Sequence, residues 1–280
     1  MKIKHMNPDE ALVMVTSLLD KLYPQKTDYI TIVSNEKQKQ EVQKLAELIK
    51  YDQFFFVLDL VNRKVIHAHG LKKWLGYDEG NFTLLKYLSI IHPRHLESLN
   101  VFAQAAFETA NSKEHQISFM EQKYSVQLPL LHESGNYIST KRSLYPFQIS
   151  EDGKVLAYLN HFTIVKEDFD ATIALNPEVK TTNQKSQKDL ANIVVKQKAK
   201  IIIANSSKIA GFSQRQLKIL RAMVDNPIKN QGQIFDELGI KSTRNTDISR
   251  IITQARLYYE HEDFTTLKEI ALFLQREGLI

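Results

Sequence analysis

Phe54-Phe55-Phe56-Val57-Leu58-Asp59-Leu60, then Asn62-Arg63, then Lys64-Val65-Ile66-His67-Ala68-His69 is the stretch on which the fold turns. An apolar β-prone run, a polar turn and a second β-prone run read as a hairpin. Upstream of it the text is helical. Asn7-Pro8-Asp9-Glu10 supplies a capping residue, a proline for the first helical position and two acids, and apolar residues keep helical spacing from Leu12 to Leu22 before Pro24. A second helix is expected over 35–50, with Val42, Leu45, Leu48 and Ile49 on one side. Its first two turns are polar, so it is expected to dock only by its end or to find a partner helix.

Downstream of the hairpin come short helical segments through Trp74 and over 84–91, and a longer helix over 94–110. Alternation then predicts strands near 117–122, 124–132, 137–149 and 154–165, separated by turns at Ser134-Gly135-Asn136 and Asp152-Gly153. Two strands, several helices and three or four antiparallel strands make an α+β layer, with helices packed beside one antiparallel sheet. From Ser213 onward the pattern is all-α. The chain therefore divides into N-terminal helices (1–50), the sheet-bearing unit (51–166), a connector (167–209) and a C-terminal helical domain (210–280).

The whole chain has 280 residues, 37 basic and 32 acidic side chains, and a net charge of +5. Residues 1–165 carry 19 basic and 18 acidic groups, so four of the five net charges lie later. Seven of the lysines fall between Lys180 and Lys208, with Asp189 the sole acid among them. Such a stretch is either a solvated linker or an aid to phosphate binding. The chain has no cysteine, which excludes disulfide frameworks, cysteine-ligated zinc, iron–sulfur clusters and thiol catalysis. No apolar run approaches the roughly 18 residues of a membrane span, and the N-terminus lacks a secretory pattern, so a cytoplasmic protein is expected. Phosphate-cradling glycine loops, HExxH and GxSxG are all missing, which argues against an enzyme.

Trp74-Leu75-Gly76-Tyr77-Asp78-Glu79, followed by Ile91-His92-Pro93-Arg94-His95, resembles two segments of PAS domains, and the likeness covers about residues 50–166. The sequence departs from that family at Arg94-His95, where an acid is usual. The resemblance implies a PAS-like sheet with flanking helices that senses a small molecule, cofactor, light or redox state, or that dimerises. The cofactor is unknown. His67 and His69 share a strand face and His92 and His95 lie three apart, so a haem or metal ligand among them is conceivable, but the plainer reading is that they cap turns or face water. Phe54, Phe55, Phe56, Trp74, Phe102, Phe107 and Tyr145 read as core rather than as a cofactor box. A cysteinyl–flavin photosensor is excluded.

In the C-terminal part Ser213 caps a first helix that ends at Asn226-Pro227, a short helix over 231–238 closes at Gly239, and a third runs over 243–259. Two short helices around a glycine-containing turn form a helix-turn-helix. On the third, Ile248, Ile251, Ile252, Ala255 and Tyr259 gather on one side, and the other carries Thr243, Thr246, Arg250, Thr253 and Gln254 with Ser249 at its edge. With Lys241 and Arg244 these are the candidate DNA-contacting residues, because such side chains reach base edges and phosphates. "FSQRQLKIL" and the terminal "GLI" resemble LuxR-type DNA-binding domains across roughly 210–280, with departures at Gln216, in the longer turn 226–232, and in the third helix's own text. The combined expectation is a PAS-like sensor fused to a LuxR-type reader: a bacterial transcription regulator that binds double-stranded DNA as a homodimer, with a small-molecule ligand conceivable in the PAS-like part. The alternative is a signalling adaptor whose C-terminal helices hold a protein partner.

Overall fold

The computed structural model describes residues 6–24, 29–49, 52–111, 117–121, 123–166, 178–180, 195, 199, 208–209, 211–240, 244–259, 263–276 and 279–280. Two helices lead, α1 (Pro8–Leu22) and α2 (Asn35–Leu48), followed by the hairpin β1 (Gln53–Asp59) and β2 (Lys64–His69). Between the hairpin and the next strand lie α3 (Leu71–Leu75), a 3-10 turn (Glu79–Asn81), α4 (Leu84–Ile90) and α5 (Pro93–Ala110). Then come β3 (Lys123–Leu131), β4 (Tyr137–Ile149), β5 (Val155–Lys166) and the short β6 (Glu178–Lys180). The sheet is antiparallel in the order β2-β1-β5-β4-β3-β6. This is the α+β order expected from the PAS resemblance, with β6 added at the β3 edge.

The unbroken apolar run in β1 has a simple cause, because the sheet is covered on both faces. Phe54, Phe56 and Leu58 point to the helix-covered inner face and join the main core. Phe55 and Val57 point outward, where they join Phe147, Ala157 and Leu159 in a second cluster. The second cluster is roofed by Val42, Leu45, Ala46 and Ile49 of α2. Helix α2 thus lies on the sheet and docks beyond its end. Its polar first turns take part, since buried Gln38 donates to the Val33 carbonyl (2.8 Å) and accepts from the Gln148 amide (3.1 Å). On the other side α1 packs against α4 and α5, opened by a reciprocal cap in which Asn7 accepts from the Glu10 N–H and Glu10 accepts from the Asn7 N–H.

One expected strand is absent. Residues 117–121 form a loop and turn, with Met120 at φ 61, and residue 122 lies outside the described residues. Their apolar side chains are used as a flap and not as a sheet face. The Met120 N–H donates to the Pro146 carbonyl (2.9 Å), and the Phe119 ring rests 5.6 Å from that of Phe147. A left-handed residue in mid-run breaks the extended backbone a strand requires.

The two sequence segments that carried the PAS resemblance act as fasteners. Glu79 accepts from the Leu71 N–H (3.1 Å), closing the turn onto the start of α3, and Tyr77 donates to the Leu131 carbonyl (3.0 Å). Gly76 ends α3 at φ 83, a conformation that glycine adopts freely. The His92 N–H donates to the Pro129 carbonyl (3.2 Å), tying the start of α5 to β3, while Pro93 takes the first helical position.

The C-terminal helices are α6 (Gln214–Asp225), α7 (Gln231–Glu237), α8 (Arg244–Tyr258) and α9 (Leu267–Arg276), preceded by the two-residue strands β7 (Lys208–Ile209) and β8 (Phe212–Ser213). Leu217, Leu220, Phe235, Ile251, Ala255, Ile270 and Leu274 are all buried, and α6 packs on α7 and α9 while α9 packs on α8. Ser213 and Asn230 cap α6 and α7, each answered by a glutamine three residues on, and Gly239 follows α7 at φ 70. Leu279 and Ile280 are buried as well, the Leu279 N–H donating to the Leu274 carbonyl (2.8 Å). Among the described residues no helix is long and apolar enough to cross a membrane.

Candidate functional site

Helix α8 sorts its side chains by burial. Ile251, Ala255 and the following Tyr259 are buried, Ile248 and Ile252 are half-buried, and Asn245, Thr246, Ser249, Arg250 and Thr253 are exposed. At ~100° per residue the exposed five span roughly 140° of the helix surface. Four of them are residues expected from the sequence. Asn245 is an addition, at the far edge of the arc; its amide suits adenine or phosphate contacts.

The remaining candidates are placed differently. Arg244 is half-buried, its guanidinium 5.7 Å from the centroid of the Phe235 ring on α7. Gly232 leaves the room for it, since a Cβ there would lie 2.7 Å from Arg244 Nη2. Gln254 is half-buried and accepts from the Gln216 side chain (3.2 Å), which bridges α6 to α8. That contact gives the departure at Gln216 a purpose. Its amide oxygen accepts from the Ser213 N–H (2.7 Å) as a cap while its nitrogen donates to Gln254, so one side chain serves both contacts. Lys241 and Thr243 lie outside the described residues. So do Lys185, Lys188, Lys196, Lys198 and Lys200 of the basic connector.

Asp247 is the one acid in α8, and Arg215 of α6 engages it at 2.9 Å. The outward face of α8 is therefore free of uncompensated negative charge. It carries the exposed Arg250, while Arg256, also exposed, turns its Nε to the Phe264 carbonyl (2.6 Å). Neutral donors and acceptors around exposed guanidinium groups can track a polyanion while reading hydrogen-bond patterns.

His67 and His69 do share the outer sheet face, opposite Val57 and Phe55 in the β1–β2 register. The His69 ring stacks on Phe55 at 5.9 Å, and burial pushes the His67 imidazole below its ordinary range. His92 and His95 have ring centroids 5.9 Å apart, with His92 also against Tyr137 at 4.6 Å. Among the described residues no group of three or more histidines and carboxylates could hold a metal ion. Phe54, Phe55, Phe56, Phe102 and Phe107 are buried core, while Trp74 and Tyr145 are half-buried.

Three solved structures show low similarity to the chain. The N-terminal domain of a diguanylate cyclase with PAS/PAC sensor from Marinobacter aquaeolei is similar over 41% of this chain and 95% of that one, at 13% identity and a TM-score of 0.35. A phage VqmA–DPO complex is similar over 86% of this chain and 91% of that one, at 11% identity and a TM-score of 0.30. Escherichia coli SdiA is similar over 96% and 98%, at 13% identity and a TM-score of 0.26. No family model and no curated protein matches the chain.

Proposed function

We propose that the protein is a non-enzymatic, cytoplasmic transcription regulator that binds double-stranded DNA in a sequence-specific manner. In this reading α6 to α9 form a helix-turn-helix domain similar to the LuxR type, with α8 as the reading helix. The PAS-like unit before it senses a signal or pairs two copies. A homodimer would set two copies of α8 on half-sites about one helical turn, ~34 Å, apart. The observation that supports the reading most is the exposed, acid-free face Asn245–Thr246–Ser249–Arg250–Thr253 on a helix whose only carboxylate is held by Arg215.

Selection of duplexes from a random pool by the purified full chain, followed by anisotropy titration at rising salt, tests it. One enriched motif is expected, with affinity falling steeply as salt rises. Replacing Arg250 by alanine should weaken binding to the selected duplex by about 30-fold, near the middle of the roughly 1–3 kcal/mol of a base-contacting arginine, with the melting temperature unchanged. If no duplex is enriched, the reading fails.

A second reading, a protein-interaction adaptor, draws on two exposed leucines of the same helices, Leu257 at 47% and Leu272 at 50% exposure. Exposed apolar side chains there would suit a protein surface better than a phosphate backbone. Loss of partner capture in Leu257→Ser with DNA binding intact would favour it.

A further inference from the structure

The inner face of the sheet holds a charge that the apolar core does not explain. Arg142 on β4 is 6% exposed and Asn160 on β5 is fully buried. Arg142 donates through Nε (3.0 Å) and Nη2 (2.6 Å) to one atom, Asn160 Oδ1, and Asn160 in turn donates to the Tyr158 carbonyl (3.2 Å). Among the described residues no carboxylate pairs with Arg142, so its charge is offset by no protein anion. A guanidinium cannot shed its proton in a protein, so its burial is costly unless an anion compensates it.

Two tyrosines converge on the same place. Tyr87 of α4 lays its ring 5.2 Å from the Arg142 guanidinium, and Tyr124 of β3 occupies the inner-face row of Phe56, Asn160 and Leu144. The Tyr124 hydroxyl is buried with no hydrogen-bond partner, and the buried Tyr87 hydroxyl faces only the Arg142 guanidinium, so neither phenol proton has an acceptor. Burial raises both well above the ordinary phenol range, which keeps them protonated and able to donate. Buried hydroxyls are normally satisfied, so two orphans beside an uncompensated cation point to an acceptor that the polypeptide does not supply. The surroundings are aromatic: Phe162 stacks on Phe54 at 4.7 Å, and Phe56 lies 5.0 Å from Tyr87 and 5.4 Å from Phe82.

We infer that this cluster is a binding site for a small organic anion, a carboxylate on a flat apolar body. Arg142, Tyr87 and Tyr124 grip the anionic oxygens, Asn160 holds the guanidinium in place, and the phenylalanines take the body. The site gives the sensory half of the proposed regulator a ligand class. It depends on that half and not on DNA binding, and its test uses no DNA. Through Tyr87 a bound anion would pull on α4, against which α1 packs.

The test is thermal shift and calorimetry on the full chain with benzoate, phenylacetate and indole-3-acetate, each against its uncharged amide. At least one acid should raise the melting temperature and bind at least 10-fold more tightly than its amide. Arg142→Met should abolish that difference, yet melt no lower than the parent without ligand, because a hydrophobe replaces an uncompensated charge. Tyr124→Phe should weaken binding with no loss of stability, since the hydroxyl has no protein partner. Arg142→Lys, which keeps the charge but loses the fork, should bind weakly. If acids and amides behave alike, or none binds, the site is overturned. It is equally overturned if Arg142→Met lowers the melting temperature sharply while Tyr124→Phe binds like the parent, because Arg142 is then a structural residue. DNA binding could persist in every one of those cases.

Discussion

Arg215 Nη2 on α6 reaches Asp247 Oδ2 on α8 at 2.9 Å, so the single carboxylate of α8 is neutralised by a neighbouring helix. The arginine side chain is 56% exposed and the aspartate side chain 13%, so this half-open pair contributes on the order of 1 kcal/mol. Replacing Asp247 by asparagine should therefore change the urea midpoint little. It should strengthen binding to the selected duplex, because a negative charge is removed from the reading helix. The gain should shrink as salt is added. Anisotropy titrations at two salt concentrations read this directly.

Gly76 is expected to be irreplaceable for a steric and a conformational reason. It sits at φ 83, and a Cβ on it would lie 2.6 Å from Glu133 Cβ. Alanine there should destabilise the fold by about 1–3 kcal/mol. Adding Glu133→Gly to Gly76→Ala should recover the contact part of that loss but not the backbone part. Denaturant unfolding of the two single variants and the double completes the cycle.

Ser213 starts α6 with a side chain that accepts from the Gln216 N–H (3.3 Å), and Gln216 answers by accepting from the Ser213 N–H (2.7 Å). Ser213→Ala should cost about 1 kcal/mol, within the usual range for a lost cap. A second effect is expected at α8, because Gln216 also holds Gln254. Hydrogen exchange should show faster opening of α8 as well as of α6.

The sheet predicts a pH dependence. Burial lowers His161, aided by Lys123 and opposed by Asp52, and burial alone lowers His67. Both imidazoles are thus held neutral in the folded chain below their ordinary value of 6.5. As pH falls through 6.5 the unfolded chain takes up these protons first, so stability declines until the folded groups also protonate. Above that value the contribution is complete. Urea midpoints should drop between pH 7.5 and 5.5, and His161→Gln with His67→Gln should flatten the slope.

The hairpin, the helix starts and the succession of helices and strands along the chain were legible in the sequence because each rests on local chemistry: Asn7 and Ser213 as caps, Gly135 and Gly153 in turns, alternation along β4 and β5. What escaped depends on neighbours distant in the chain. Nothing in α2 alone says that Gln38 is buried, since its partners are Val33 and Gln148. The run 117–121 alternates like a strand, and only the outer face of β4 explains why it folds over as a flap. Arg244 reads as a surface residue until α7 offers the gap at Gly232; a glycine inside a helix was the available signal. Arg142 and Asn160 could have been found by phase. Each falls in step with the apolar residues Leu144 and Phe162, at inward positions where a polar side chain is unexpected.

The two leading helices grip the sheet-bearing unit from opposite sides. Helix α1 lies over α4 and α5, and the Tyr23 hydroxyl at its end is held by the Val155 carbonyl at the start of β5. Helix α2 covers Phe55, Val57 and Phe147 on the outside. A fragment cut just before β1 would strip an apolar sheet face that water cannot wet. Copies of such a fragment would stick to one another through it, so the smallest piece worth expressing alone has to begin ahead of α1.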